Sequence, residues 1–173
     1  MALRKSMPAA SRGFTVLESV ISTLIVGSMM VAAMNVVGAS ETARQYGVDK
    51  STGLMLAEEL MSEILAMPYK DPEYGTVYFG FEPDEPNNGT RHAFDDVDDF
   101  CSWQASPPQN PDGTEKTGFD LWKRWAQIVR VKHDALSQAM NSETGVKWIT
   151  VIVERNGREV CRLHAHRADV DGG

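Results

Sequence analysis

One acid, Glu18, lies within a run, Phe14 to Gly38, that carries no other charge. A carboxylate inside a membrane helix costs about 2.5–3.5 kcal/mol on insertion scales, so it needs a cationic partner or must snorkel to the membrane boundary. The second concentration of chemistry lies between Glu82 and Asp99, where seven acids stand against one base, Arg91. Its densest part is Phe94-Asp95-Asp96-Val97-Asp98-Asp99-Phe100. Oxygen-rich segments suit calcium, which takes about six to eight oxygen ligands. Asp95, Asp96, Asp98 and Asp99 are therefore candidate calcium ligands, or a candidate contact surface for a neighbouring subunit. The ordered spacing and turn glycine of an EF-hand are missing, and the plainest reading is a solvated acidic loop docked through Phe94, Val97 and Phe100.

Other reactive types are sparse. His164-Ala165-His166 puts two imidazoles on one strand face, with His133 and His92 as the only recruits for a metal; no third ligand is specified, and surface histidines are expected. The two cysteines, Cys101 and Cys161, are too few for a disulfide scaffold and lack the CxxC pairing of a zinc site. No GxSxG, HExxH, P-loop or Ser/Lys dyad occurs. A non-enzyme without a resident cofactor is expected, calcium aside.

The elements that position these residues follow from charge and hydropathy. The chain has 173 residues and a net charge of −7, with a pI near 5.1 and a mean hydropathy of −0.30. Those averages describe an acidic soluble protein and argue against nucleic-acid binding by phosphate neutralisation. The charge is uneven, however. Residues 1–13 hold Arg4, Lys5, Arg12 and no acid, which leaves 14 bases against 24 acids in the rest. Phe14 to Gly38, as a helix, would be about 37 Å long, enough to cross a hydrocarbon core of about 30 Å. A positive flank before the span and an acidic remainder after it orient the amino end to the cytoplasm. A conventional signal sequence would be cut after the apolar run, at Ala32-Ala33 or Gly38-Ala39-Ser40; the length of the run and the charge at Glu18 argue against that.

Arg12-Gly13-Phe14-Thr15-Val16-Leu17-Glu18, ahead of an apolar helix, resembles the cleavage and methylation motif of type IV pilins and type II secretion pseudopilins. The resemblance covers about 25 residues. It implies cleavage by a prepilin peptidase between Gly13 and Phe14, N-methylation of Phe14, and insertion in a bacterial inner membrane with a periplasmic head. The new Phe14 amine would then be a cation at i relative to Glu18 at i+4, and in the family such a glutamate attracts the amine of a neighbouring subunit. Implied partners are the peptidase, other pilin or pseudopilin subunits and an inner-membrane assembly platform. Ser19, Thr23 and Gly27 form a small-residue face that permits close helix approach. Many main shaft subunits carry a helix-bending proline late in this segment; Asn35 in its place favours a minor pilin or pseudopilin. Some pseudopilins bind calcium in a head loop. The rival reading is a membrane-anchored periplasmic binding domain, calcium-dependent or not, that never polymerises.

Beyond the span, Gly53, Leu56, Ala57, Leu60, Ile64 and Met67 follow the pattern of an amphipathic helix that Pro68 stops. The expected organisation is a leader (1–13), an assembly helix (14–38), its amphipathic continuation (39–68) and a β-rich head (69–173). In the head, Thr76–Phe81 reads as a short strand, Trp125–His133 as another, and Ala135–Met140 as a helical turn. Asn156-Gly157 reads as a type I′ hairpin turn that pairs Val153 with Val160 and Ile152 with Cys161. That register would bury Trp148, Thr150, Ile152, Cys161, Leu163 and Ala165 against the helix. A periplasmic head permits a disulfide, and a Cys101–Cys161 bridge would add roughly 4 kcal/mol by loop closure; a buried free thiol at Cys161 is the alternative. The fold class expected is α+β and pilin-like: a long amino-terminal helix packed on an antiparallel sheet of three to five strands.

Overall fold

The structure, a computed structural model, describes residues 15–81, 91 and 93–170. It is α+β, with one long helix, α1 (Val16–Ala66), followed by five strands. These are β1 (Gln104–Ala105), β2 (Trp122–Lys132), β3 (Ala135–Met140), β4 (Val146–Arg155) and β5 (Arg158–Ala168). The chain forms two compact units, Met1–Gln45 and Tyr46–Gly173.

From Val16 to Gly38 α1 carries no charge but Glu18, and Leu17, Val20, Ile21, Leu24, Ile25, Met29 and Met30 are all exposed. An apolar stretch of helix that no described residue covers has the composition of a membrane span, and α1 is long and apolar enough to cross one. In the second unit α1 is one-sided. Gly53, Leu56, Ala57, Leu60, Met61 and Ile64 are buried, at the three- and four-residue spacing that makes one helix face. Each fully buried Leu or Ile there contributes about 1.5–3 kcal/mol. The helix stops two residues before Pro68, which has no N–H to continue the ladder.

The sheet is antiparallel with strand order β1-β2-β4-β5, and β3 also pairs with β2. Its core face consists of Ala126 and Ile128 of β2, Ile149, Val151 and Val153 of β4, and Cys161 of β5, packed with Leu56, Leu60 and Ile64 of α1.

The hairpin forms where Asn-Gly predicts it, with positive φ at Asn156 (52°) and Gly157 (72°) as a type I′ turn requires. Its register differs by one residue: Val153 pairs with Cys161 and Ile152 with Arg162, with an irregularity between Val153 and Glu154. Val160 is the extra residue of a bulge. Its carbonyl accepts a hydrogen bond from Lys50 Nζ at 2.8 Å, and its side chain abuts Gly53. Because strand side chains alternate, the slip exchanges the faces of β4. Ile149, Val151 and Val153 face the helix, while Trp148, Thr150 and Ile152 lie on the opposite face with Arg162, His164 and His166.

Two further expectations are corrected. Ala135–Met140 is a strand, not a helical turn; it pairs through Lys132↔Ala135, Val131↔Ala139 and Arg130↔Met140, which gives its backbone partners that one helical turn would leave unmet. Thr76–Phe81 is not a strand. Its amides are spent elsewhere: the Val77 N–H turns back to the Tyr74 carbonyl at 3.3 Å, and the Gly80 N–H donates to Asp98 Oδ2 at 3.3 Å, which leaves no ladder for a strand. β2 begins three residues earlier than expected, at Trp122.

Candidate functional site

Gly13 and Phe14, the expected cleavage and methylation residues, lie outside the described residues. Glu18 sits in the first turn of α1 and is exposed. Thr15, immediately before the helix, accepts the Glu18 amide on Oγ1 at 3.2 Å, and its carbonyl accepts the Ser19 amide at 3.1 Å. Thr15-Val16-Leu17-Glu18 thus has the spacing of a capping box, a signal legible in the sequence that the charge argument overlooks. The cap satisfies one of the orphan amides at the helix start, and the acid complements the positive end of the helix dipole. Ser19, Thr23 and Gly27 share one flank of this helix with Val16, Val20, Leu24 and Val31. A Cβ at Gly27 would meet nothing within 4 Å, so that flank is open to close approach by another helix.

The acidic segment is not a solvated loop. Asp96, Asp98 and Asp99 are buried, and of the four acids proposed as ligands or contacts only Asp95 is exposed. Phe94, Val97 and Phe100 do dock it onto the core, and this docking draws three of the four acids inside. There they are met by hydrogen-bond donors, as buried charge requires. Asp96 Oδ1 accepts the amides of Asp98 (2.6 Å) and Asp99 (3.2 Å), while Asp99 Oδ2 accepts those of Asp95 (2.9 Å) and Asp96 (3.0 Å). The cation is Lys147 of β4, itself buried. Its Nζ contacts Asp98 Oδ1, lies 3.6 Å from Asp96 Oδ2 and donates to the Tyr69 carbonyl. The same Nζ stands 4.4 Å from the centroid of the Tyr69 ring, a cation–π contact. Burial pushes the Asp96 carboxyl up to about 6, against the pull of Lys147 and the Asp99 amide. Sequence reasoning missed Lys147, because a lysine between Val146 and Trp148 marks its place only once the strand register is known.

Arg91 carries the single base of the acidic region to the helix. It forks onto Glu63 with Nε–Oε1 2.7 Å and Nη2–Oε2 3.1 Å and lies 4.3 Å over the Trp103 ring. Such a fork fixes orientation as well as charge.

The chain matches no known protein family, curated protein or solved structure.

Both cysteines are free, so the expected Cys101–Cys161 bridge is absent. Cys101 directs its sulfur to the Ile128 carbonyl at 3.6 Å, whereas Cys161 is buried under Gly53 of α1. Burial pushes the Cys161 thiol up, as suits a packed and unreactive side chain. His164 and His166 flank Trp148, with ring centroids 5.3 and 5.9 Å away, and His164 Nδ1 shares a 3.0 Å hydrogen bond with Thr150 Oγ1. Among the described residues no group of three or more His, Cys, Asp or Glu is arranged to hold a metal.

Proposed function

We propose that this chain is a structural, non-catalytic subunit, a minor pilin or pseudopilin, of a type IV pilus or type II secretion pseudopilus. A prepilin peptidase cuts between Gly13 and Phe14, and Phe14 is N-methylated. The observation that carries the reading is Glu18 in the first turn of a 51-residue helix, four residues after Phe14 in the sequence, with the first half of that helix apolar and unburied and its second half built into a β-sheet head. A plain anchor needs apolarity alone. It needs neither an acid in the first turn nor a flank of Ser19, Thr23 and Gly27.

In this reading the subunit waits in the bacterial inner membrane with its head in the periplasm. Glu18, unpaired in the bilayer, is drawn to the terminal amine of a neighbouring subunit, and an assembly platform lifts the joined helices into the filament. Mass spectrometry of the mature amino terminus tests this. The expected product begins with N-methyl-phenylalanine at Phe14; an intact Met1, or a start after Ser40, would contradict it and favour the anchored, non-polymerising domain.

A further inference from the structure

We propose that Lys147 and Asp98 are joined by an intramolecular isopeptide bond, Nζ to Cγ, which stitches the acidic segment to β4. The nucleophile lies against the carboxyl it would attack: Lys147 Nζ contacts Asp98 Oδ1, one bond from Cγ, and neither side chain is more than 3% exposed. A second carboxyl, Asp96, stands 3.6 Å from Nζ through Oδ2. The other Asp98 oxygen, Oδ2, accepts the backbone N–H of Gly80 at 3.3 Å. Phe100 and Val97 are fully buried beside the group, Phe94 nearly so, and the Tyr69 ring covers Nζ. A plain ion pair needs one carboxylate for one ammonium. This site supplies an amine, its acceptor, a spare carboxyl and an N–H on the acceptor's second oxygen, in a place closed to water.

The step balances without oxidant or reductant. Burial disfavours the charged forms of both lysine and aspartate, so a proton passes from Lys147 Nζ to Asp96 and leaves a neutral amine. Its lone pair attacks Asp98 Cγ, forming the C–N bond. Negative charge gathers on Oδ2, where the Gly80 N–H stabilises it. Asp96 returns the proton to Oδ1 and relays a second from the nitrogen; the Cγ–Oδ1 bond breaks and one water leaves. The product is a neutral amide whose nitrogen keeps one hydrogen for the Tyr69 carbonyl, and Asp96 ends as it began. Reactants fixed in contact gain effective molarities of about 10⁵–10⁸ M in well-oriented intramolecular cases. Condensation also removes a buried ion pair, whose desolvation is costly.

The test is peptide mapping of the full chain, extracted in detergent and digested with trypsin after denaturation. The linked protein yields a branched species, His92–Lys116 joined to His133–Arg155, lighter by one water than the two peptides together and uncut at Lys147. Lys147→Arg keeps the charge but not the nucleophile and should give unlinked peptides. Asp96→Asn keeps size and hydrogen bonding but cannot relay a proton, and should also leave them unlinked while circular dichroism stays native. The wild-type result decides even if a variant misfolds: separate peptides, with cleavage at Lys147, would overturn the bond. Undiminished linkage in Asp96→Asn would overturn the role given to Asp96.

Discussion

Gly53 is where the helix meets the hairpin, and replacing it with alanine sets two opposed effects against each other. An added methyl favours the helix, because Ala outranks Gly there by about 0.8–1.0 kcal/mol. The same methyl would stand 2.9 Å from Val160 Cγ1 and 3.4 Å from Cys161 Cβ. Val160 is β-branched and stiff at χ1, and its backbone is pinned by the Lys50 hydrogen bond, so it cannot easily yield. Overpacking of this kind costs about 1–3 kcal/mol, and the net expectation for Gly53→Ala is a loss of about 1 kcal/mol. Gly47→Ala is the control, since a Cβ there meets nothing within 4 Å; it should stabilise by about 0.5–1 kcal/mol. Adding Val160→Ala to Gly53→Ala removes the obstructing methyl, so the pair should couple favourably by about 1–2 kcal/mol. Urea unfolding of the detergent-solubilised chain, followed by tryptophan fluorescence, compares wild type with Gly53→Ala, Gly47→Ala, Val160→Ala and the double variant, because every tryptophan lies in the head. Equal stabilisation by Gly53→Ala and Gly47→Ala would refute the contact between α1 and the bulge.

Three other outcomes are expected. Glu63→Ala leaves the Arg91 guanidinium buried without its fork, and thermal unfolding should show a loss of about 3–5 kcal/mol, as for other broken buried pairs. Although burial opposes it, Glu143 is held below the usual glutamate range by the Tyr69 hydroxyl and the amides of Gly145 and Thr144. A depressed carboxylate stabilises above its unfolded value and loses that contribution as pH falls through the folded one. Glu143→Gln should therefore lower the melting temperature at pH 7, with the gap to wild type closing below pH about 4; a gap that persists in acid would contradict this. Glu18→Ala removes an acid that costs about 2.5–3.5 kcal/mol in a bilayer, so carbonate extraction should find the variant in the membrane at least as fully as wild type.

What the sequence reveals here is what periodicity and charge control. The amphipathic stripe from Gly53 to Ile64 is legible because burial on one side of a helix leaves a spacing. The Asn-Gly turn is legible because few dipeptides accept two positive φ values. The faces of β4 are not, since one bulged residue, Val160, exchanges them, and it packs on Gly53, distant in sequence. The burial of the acidic segment is hidden from sequence for a related reason. Composition shows four aspartates within five residues, yet docking through Phe94, Val97 and Phe100 turns three of them inward, two of them beside Lys147 of β4. Ala135–Met140 has weak local preferences, and pairing with β2 decides its form. Cys101 and Cys161 read as partners only while their places in the fold are unknown.

The central claim, that this chain polymerises through its amino-terminal helix, is tested most directly in filaments sheared from cells that express the wild type or Glu18→Ala. The account predicts wild-type subunit in the filament fraction, and Glu18→Ala retained in the membrane and absent from filaments. Incorporation of Glu18→Ala at the wild-type level, or wild-type protein that never leaves the membrane, would contradict it.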